Sequence, residues 1–159
     1  MNIFFASSEV APFIKTGGLA DVAGSLPQAL AKLGHDVRVI LPLYEGIGDE
    51  WRSQMNYLQN FHVHLAWRNP YCGLFELKRD GVTYYFVDHE YYFRRRSLYG
   101  HFDDAERFAF FSRAVIESPG HLGFVPDVIH CNDWQTALVP IYTLLAPDSS
   151  GTRLRSSSI

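Results

Sequence analysis

The sequence predicts an α/β protein with a Rossmann-like, mainly parallel sheet that has helices on both faces. Three short, mainly apolar runs are each followed by polar residues, which is typical of buried parallel strands: Ile3 to Ala6, Val37 to Leu41 and Val128 to Cys131. Between the first two runs, apolar residues recur at helical spacing over 19–33. This order predicts a β-α-β unit with a right-handed crossover.

Length and composition fit one globular domain. The 159 residues are 47% hydrophobic and carry a formal net charge of -3, which gives no electrostatic reason to expect nucleic acid or an anionic membrane as partner. No apolar segment approaches the roughly 20 residues of a membrane-spanning helix. Cys72 and Cys131 lack the spacing of a zinc site or a disulfide framework. We expect a cytoplasmic protein, or a plastid protein if a transit peptide has been removed.

The segment after the first strand is the first candidate site. Glu9 lies at the carboxyl end of that strand, where ligands bind in open α/β sheets. Lys15, Gly17 and Gly18 then lead into the helix. Adjacent glycines permit positive φ and close approach of a ligand, and the lysine and the helix N-terminus attract anions. The segment therefore predicts a phosphate site, although an ordinary turn with an exposed lysine fits the spacing equally well.

The first predicted helix begins at Leu19, and Gly34 takes the C′ position after its end. Pro27 interrupts its apolar face. Because proline lacks an N–H and crowds the carbonyl four residues back, we expect a kink, or two short helices with Ser25 near the second start.

The middle of the chain predicts strands with at least one antiparallel pair. Apolar and polar residues alternate loosely over 57–67, 74–78 and 82–87, and Asp80-Gly81 is a hairpin signal. His62 and His64 would share one face of a strand. Without a third ligand in view, ordinary half-exposed histidines are the better interpretation, and no metal site is predicted.

Residues 89–103 are rich in aromatic side chains and include the basic run Arg94 to Arg96. Aromatic faces stack on sugar rings while Arg and Glu bond hydroxyls, so the segment suits a sugar-binding surface. It could equally be a loop whose aromatic rings cover the sheet edge. The basic run favours a solvated loop. Asp103 or Asp104 is expected to cap the next helix, and Pro119-Gly120 to stop it.

A second polar cluster, Asn132-Asp133-Trp134, follows the strand at 128–131. The carboxyl ends of neighbouring parallel strands face one crevice, so Asp133 is expected near the first segment. Its carboxylate could accept sugar hydroxyls, cap the following helix, or do both. That helix is predicted from about Gln135 to Leu145, with a kink at Pro140. The polar tail, 147–159, has loop or disordered composition.

Several motifs together resemble the bacterial glycogen synthases and plant starch synthases, over residues 1–146. They are Ser8 to Phe13, Lys15 to Val22, Leu33 to Val39, Leu98 to Gly100, Asp103 to Phe108 and Asp127 to Ala137. The resemblance implies the N-terminal domain of a two-domain GT-B enzyme. Such an enzyme transfers glucose from ADP-glucose, with retention, to the non-reducing end of an α-1,4-glucan and needs no metal or other cofactor.

The resemblance also implies roles for individual residues. Lys15 corresponds to the family lysine that neutralises the departing diphosphate. Gly17 and Gly18 would let the diphosphate come close to the backbone. Asp21 and Asp133 match positions that line the sugar and acceptor pocket and are the candidate catalytic residues. Tyr99 matches another position in that pocket. Glu9 is a further candidate for substrate binding.

The chain also departs from the family pattern. Full members continue into a C-terminal Rossmann domain that holds the nucleotide, and the tail from Thr152 does not resemble their continuation. We therefore expect a truncated product or an isolated fragment that has no transferase activity alone. The alternative is a non-catalytic module that binds α-glucan or ADP. A generic interaction domain fits poorly with the joint presence of both polar motifs.

Overall fold

Seven strands form a single sheet in the computed structural model, which describes residues 1–145 and 156–158. The strands are β1 (Asn2–Ala6), β2 (Asp36–Pro42), β3 (Asn56–His62), β4 (Tyr71–Arg79), β5 (Val82–Asp88), β6 (Val128–Cys131) and β7 (Ser156–Ser158). The helices are α1 (Gly18–Lys32), α2 (Asp49–Arg52), α3 (Glu90–Phe93), α4 (Asp104–His121) and α5 (Leu138–Leu145), with a 3-10 turn at Trp134–Thr136.

The sheet has the order β3-β4-β5-β2-β1-β6-β7. From β5 to β7 all neighbouring strands are parallel, whereas β3 and β4 form an antiparallel ladder beside β5. β1 is central, and Phe4 and Phe5 are fully buried, which explains its continuous apolar sequence. The predicted parallel sheet with an antiparallel addition is confirmed.

α1 is one continuous helix through Pro27, so the prediction of two short helices is wrong. Ala20, Ala23, Gly24 and Pro27 are all buried along it. Their packing outweighs the single backbone hydrogen bond that proline cannot make. Ser25 lies within the helix rather than starting one, and its hydroxyl donates to the Asp21 carbonyl at 2.7 Å.

The C-terminus of α1 has the predicted glycine. Gly34 has a φ of +89°, and its N–H donates to the Ala31 carbonyl at 2.9 Å. The His35 N–H donates to the Leu30 carbonyl at 3.3 Å, which completes a Schellman motif. The predicted hairpin is also confirmed, because Asp80 and Gly81 both have positive φ, as a type I′ turn requires.

Gly24 lets α1 pack directly on the segment after β1. A Cβ atom at Gly24 would lie 2.6 Å from the Ala11 carbonyl oxygen, a distance that backbone atoms cannot relieve easily. The Ala11 N–H also donates to the Ala20 carbonyl at 3.0 Å. The first candidate segment is thereby held against the helix that follows it.

Two predictions about the histidine pair and the β3 boundary need correction. β3 ends at His62, so His64 does not share a strand face with it. The chain turns instead at Ala66, which has positive φ, inside the Leu65–Arg68 bridge. Within residues 1–145 and 156–158, no three His, Cys, Asp or Glu side chains group in a way that could hold a metal ion.

The ends of α4 also differ from prediction. Asp103 occupies the N-cap position, but its side chain makes no capping bond and instead accepts two hydrogen bonds from Arg95. The carboxylate of Asp104 accepts from the Gly100 N–H at 2.7 Å. The helix continues past Pro119 to His121. Only its last turn follows the proline, so the lost backbone bond costs little beside the buried face of the helix.

Part of the predicted polar tail is a strand. Residues 156–158 form β7 and pair in parallel with β6, whereas composition predicted a loop or disorder there. Strand pairing is made by backbone N–H and C=O groups, so a serine residue can pair with the edge of β6 as well as an apolar residue can. The rest of the tail, 147–155 and 159, lies outside the described residues. In the part of the chain that is described, no helix combines the length and apolarity needed to cross a membrane.

Candidate functional site

The two predicted polar segments meet at the carboxyl edge of the sheet. β1 and β6 are parallel neighbours, and Ala6 pairs with Cys131 at their ends. Immediately beyond, the Asn132 side-chain amide donates to the Ala6 carbonyl at 2.9 Å and the Asn132 N–H donates to the same oxygen at 3.2 Å. The sequence prediction that these strand ends face one crevice is confirmed.

Glu9 is a buried centre of hydrogen bonding, with only 3% of its surface exposed. Its carboxylate accepts from the Thr16 N–H and hydroxyl and from the Gly17 N–H. The Glu9 carboxylate also accepts a hydrogen bond from the Tyr99 hydroxyl at 3.1 Å. The Tyr99 hydroxyl in turn lies 2.7 Å from the Ser8 hydroxyl. A carboxylate offers about four acceptor positions, so these donors occupy most of Glu9. The structure gives it a positioning role that joins the glycine segment to the Tyr99 loop.

Lys15 and Asp21 bind each other. The Lys15 Nζ atom lies 2.7 Å from both carboxylate oxygens of Asp21, and both side chains are more than half exposed. An exposed ion pair of this kind contributes about 0–1 kcal/mol, so an anionic ligand can replace the carboxylate at small cost. The pair brings two predicted site residues together at the first turn of α1.

The glycines do not have the backbone conformation expected from the sequence. Gly17 is extended, with φ -149° and ψ -165°, and Gly18 begins α1 without a positive φ. The two glycines instead leave open space next to the backbone, since a Cβ atom at either position would meet nothing within 4 Å. Among the described residues, no side chain caps this end of α1. Glu9 already accepts the N–H of the N-cap residue Gly17, so an anion would bind to the N–H groups of the first helical turn that follows.

We expect Gly17→Ala to separate folding from ligand binding. The extended φ and the open space accommodate a methyl group, so the free energy of unfolding should stay the same or rise by about 0.4–1 kcal/mol. The same methyl group would hold an anion away from the helix N-terminus and weaken its binding. Urea unfolding and calorimetry with inorganic pyrophosphate measure the two effects. Unchanged pyrophosphate affinity would contradict the predicted phosphate site.

Asp133 has a strained backbone. Its φ of 63° and ψ of 179° lie in a region used almost only by glycine, at a cost of about 1–3 kcal/mol. The side chain is exposed and accepts from the Trp134 N–H at 2.6 Å. The predicted capping role is confirmed, although the capped element is a 3-10 turn. Pro140 does not kink a long helix, because α5 begins at Leu138 and the proline falls in its first turn, where an N–H has no partner.

Tyr99 connects the two halves of the crevice. Its ring centroid lies 5.9 Å from that of the half-exposed Trp134, which also meets Phe108 edge-on at 5.0 Å. Burial raises the pKa of the Tyr99 phenol well above its usual value, and the charges of Glu9 and Asp133 add to the rise. Tyr99 is therefore a neutral hydroxyl that can donate a hydrogen bond.

Arg107 holds the loop that carries Tyr99. Its side chain is 0% exposed and donates to the carbonyls of Tyr92 at 2.7 Å and Leu98 at 3.1 Å. It also pairs with the carboxylate of Asp104. Sequence reasoning missed this role, and it missed Thr16 and Ser8 as partners of Glu9 and Tyr99. The available signal was a lone arginine within the otherwise apolar face of α4.

The sequence left two interpretations of the aromatic segment, 89–103: a sugar-binding surface or a loop that covers the sheet edge. The structure gives some support to each. Tyr92 and Phe93 are buried and pack on Phe110, which supports the covering role. Tyr91 and Phe102 remain exposed. The basic run is largely paired, because Arg94 binds Glu90 at 2.6 Å and Arg95 binds Asp103 through two hydrogen bonds.

Comparison with known proteins decides the family. A profile described as the starch synthase catalytic domain matches residues 2–155. The chain belongs to this family. The match extends past the domain boundary predicted at 146 and covers both polar segments of the crevice.

Similar proteins include two bacterial glycogen synthases. The chain is 57% identical over 140 residues to the "Glycogen synthase" of Geobacillus thermodenitrificans (strain NG80-2), covering 88% of this chain and 29% of that protein. It is 55% identical over 141 residues to the "Glycogen synthase" of Clostridium botulinum (strain Eklund 17B / Type B), covering 89% and 30%. This starch synthase family chain thus spans less than a third of the length of these relatives.

Solved structures agree on the fold. The catalytic domain of starch synthase IV from Arabidopsis thaliana, bound to ADP and acarbose, aligns with a TM-score of 0.84 at 32% identity, over 99% of this chain and 32% of that chain. An E. coli trehalose-6-phosphate protein bound with UDP-2-fluoro glucose aligns with a TM-score of 0.50 at 11% identity, over the same shares. The fold is that of the GT-B glycosyltransferases, as the family resemblance implied.

Proposed function

We propose that this chain is the N-terminal part of a glycogen or starch synthase that transfers glucose from ADP-glucose to the non-reducing end of an α-1,4-glucan, with retention. The proposal rests on one observation: a continuous series of side-chain contacts connects the two sides of the crevice. Glu9 links the Lys15–Gly18 segment to Tyr99, and Tyr99 meets Trp134 beside Asp133. A cation, an open helix N-terminus, a neutral hydroxyl and a carboxylate are thus held within one site.

The anion side of this site is suited to a leaving diphosphate. Negative charge grows on the diphosphate as the glycosidic bond to glucose breaks, and preorganised donors that meet this charge lower the barrier. Lys15 exchanges Asp21 for a phosphate, and the first N–H groups of α1 bind other phosphate oxygens. Asp21, once released, accepts a hydroxyl of the transferred glucose.

The sugar side lies around Asp133 and Tyr99. The exposed Asp133 carboxylate accepts glucose or acceptor hydroxyls, while the Tyr99 hydroxyl lies at the same wall. The reaction uses no metal or other cofactor in this proposal. In the whole enzyme a C-terminal Rossmann domain holds the base and ribose of the nucleotide. We place that enzyme in the cytoplasm.

A chimera tests this function. The matching 140 residues of the chain replace those of the Geobacillus thermodenitrificans relative, and radiolabelled ADP-glucose and glycogen serve as substrates. We expect the chimera to incorporate label and the isolated chain to incorporate none. The unmodified relative is the positive control. A folded chimera without turnover would refute the proposal. If the chain alone binds ADP or maltoheptaose in calorimetry but the chimera is inactive, the non-catalytic module is the better description.

A further inference from the structure

Two buried polar atoms beside the crevice have no protein partner. One is the hydroxyl of Tyr44, which follows β2, and the other is the Nη2 atom of Arg107 on α4; both residues are 0% exposed. Among the described residues, no group forms a hydrogen bond with either atom. A buried polar group without a partner is rare, because it gives up its bonds to water and gains nothing in return. The two atoms therefore indicate a partner from outside the chain.

The chemistry of arginine limits what this partner can be. The Arg107 Nε atom donates to the Tyr92 carbonyl, and Nη1 donates to the Leu98 carbonyl and to Asp104. In the described part of the chain, the Nη2 protons have no acceptor. The guanidinium cannot release these protons, because it stays charged at any ordinary pH. The missing partner of Arg107 must therefore be a hydrogen-bond acceptor.

Tyr44 and Arg107 pack on the same aromatic side chain. The Tyr44 ring meets Phe93 edge-on with the ring centroids 5.6 Å apart, and the Arg107 Cζ atom lies 5.7 Å from the centre of the Phe93 ring. Burial raises the pKa of the Tyr44 phenol well above its usual value, and the positive charge of Arg107 opposes this rise. Tyr44 is therefore a neutral hydroxyl near the guanidinium, able both to donate and to accept a hydrogen bond.

The charges around the Tyr44 hydroxyl favour a neutral partner. The carboxylates of Glu9 and Asp104 both add to the rise in the Tyr44 pKa, so two negative groups lie within electrostatic reach beside one positive group. A further anion would be repelled, and a cation cannot accept the Arg107 protons. Water is neutral, accepts and donates, and a buried water typically makes about three hydrogen bonds to otherwise unpaired groups. Water therefore fits both atoms.

We propose that an enclosed water bridge joins the Tyr44 hydroxyl to Arg107 Nη2 and makes Tyr44 a positioning residue for the loop that carries Tyr99. Arg107 already holds the carbonyl of Leu98, which precedes Tyr99 in the chain. The bridge attaches the same guanidinium to the segment after β2, so that two loops at the carboxyl edge of the sheet are held together. The bridge and the attachment of the loop are independent of the proposed function; only their consequence for catalysis rests on it.

Crystal structures of the chain and of Tyr44→Phe test the bridge. The variant loses only the hydroxyl and keeps the ring on Phe93, so it should fold. We expect ordered water within about 2.7–3.2 Å of the Tyr44 oxygen and of Arg107 Nη2 in the unaltered chain, and its loss or displacement in the variant. A direct bond between Tyr44 and Arg107, or a dry contact, would overturn the proposal, as would an unchanged water in Tyr44→Phe.

Amide hydrogen exchange tests the positioning role. The Glu45 N–H donates to the Phe93 carbonyl, and the Gly100 N–H donates to Asp104, so these two protons report on the two loops that the bridge would join. We expect both to exchange about two- to tenfold faster in Tyr44→Phe, the effect of losing one hydrogen bond. If only the slowest amides of β1 exchange faster, the hydroxyl supports overall stability alone and the positioning role is refuted.

Tyr85→Phe is the matched control for the exchange experiment. Tyr85 is also buried, and its hydroxyl accepts directly from Arg38 at 3.1 Å, outside the crevice. Its replacement should leave the exchange of Glu45 and Gly100 unchanged. Equal acceleration of these two amides in Tyr85→Phe and Tyr44→Phe would overturn the proposal.

The chimera separates this proposal from the proposed function. In an active chimera, Tyr44→Phe should lower kcat by about two- to tenfold, whereas Tyr85→Phe should not; an unchanged kcat would refute the catalytic consequence of the bridge. If the chimera is inactive but the water and the faster exchange are found, the bridge stands and the transferase function is refuted. If the chimera is active but neither is found, only the bridge is refuted.

Discussion

Replacing Arg107 with methionine should lower the free energy of unfolding by about 3–5 kcal/mol, which is the usual cost of removing one partner from a buried ion pair. The fully buried guanidinium forms an ion pair with Asp104 and donates hydrogen bonds to the carbonyls of Tyr92 and Leu98. Methionine fills a similar volume but donates no hydrogen bond. The two carbonyl groups would then lose this donor, and the partly buried Asp104 carboxylate would keep the Gly100 N–H but lose its cation.

Urea unfolding followed by tryptophan fluorescence measures this loss. Arg113→Met is the control, because Arg113 lies on the same helix and pairs with Glu117 four residues later, nearer the surface. That substitution should cost no more than about 0.3–1 kcal/mol. Similar losses for the two variants would show that Arg107 is not a special anchor. Limited proteolysis should also cut the 94–103 loop faster in Arg107→Met.

Lys15→Ala in the active chimera should lower kcat/KM by about 10²–10³-fold, the effect typical of removing one preorganised donor to a developing negative charge. Lys15 lies at the open N-terminus of α1 and is held by an ion pair that an anion can displace. Most of the loss should appear in kcat if the lysine acts chiefly on the departing diphosphate.

Lys32→Ala is the matched control, since this lysine lies in the last turn of the same helix. Steady-state assays with ADP-glucose at saturating glycogen should show little change for it. A reduction in kcat/KM of less than about fivefold for Lys15→Ala would contradict the assigned role. Binding of ADP to the two isolated-chain variants separates ground-state affinity from catalysis.

Elements specified by local chemistry were predictable from the sequence. The continuous apolar run of β1 marks a central strand, Gly34 ends α1, and Asp80-Gly81 forms the hairpin. Proline positions were less informative. Pro27 and Pro119 both lie within helices, because the burial of a long helical face exceeds the cost of one missing backbone bond.

The meeting of the two polar segments was predictable from the sequence, but the side-chain pairings within them were not. Strand order alone brings the ends of β1 and β6 together. The partners of each charged group depend on the folded arrangement: Glu9 binds the glycine segment, and Asp103 binds Arg95 rather than capping α4. The spacing of Gly17 and Gly18 does not show whether they are needed for a positive φ or for the absence of a side chain. The structure favours the absence of a side chain.

In the proposed transferase, the backbone at Asp133 places heat resistance and catalysis in opposition. Its φ and ψ suit glycine, so Asp133→Gly would relieve about 1–3 kcal/mol of strain while deleting the carboxylate at the crevice. A laboratory selection that rewarded only thermal tolerance would be drawn toward this exchange, and one that rewarded glucan synthesis would reject it. If the proposed transferase function holds, efforts to stabilise the protein should therefore leave Asp133 unchanged and substitute other positions.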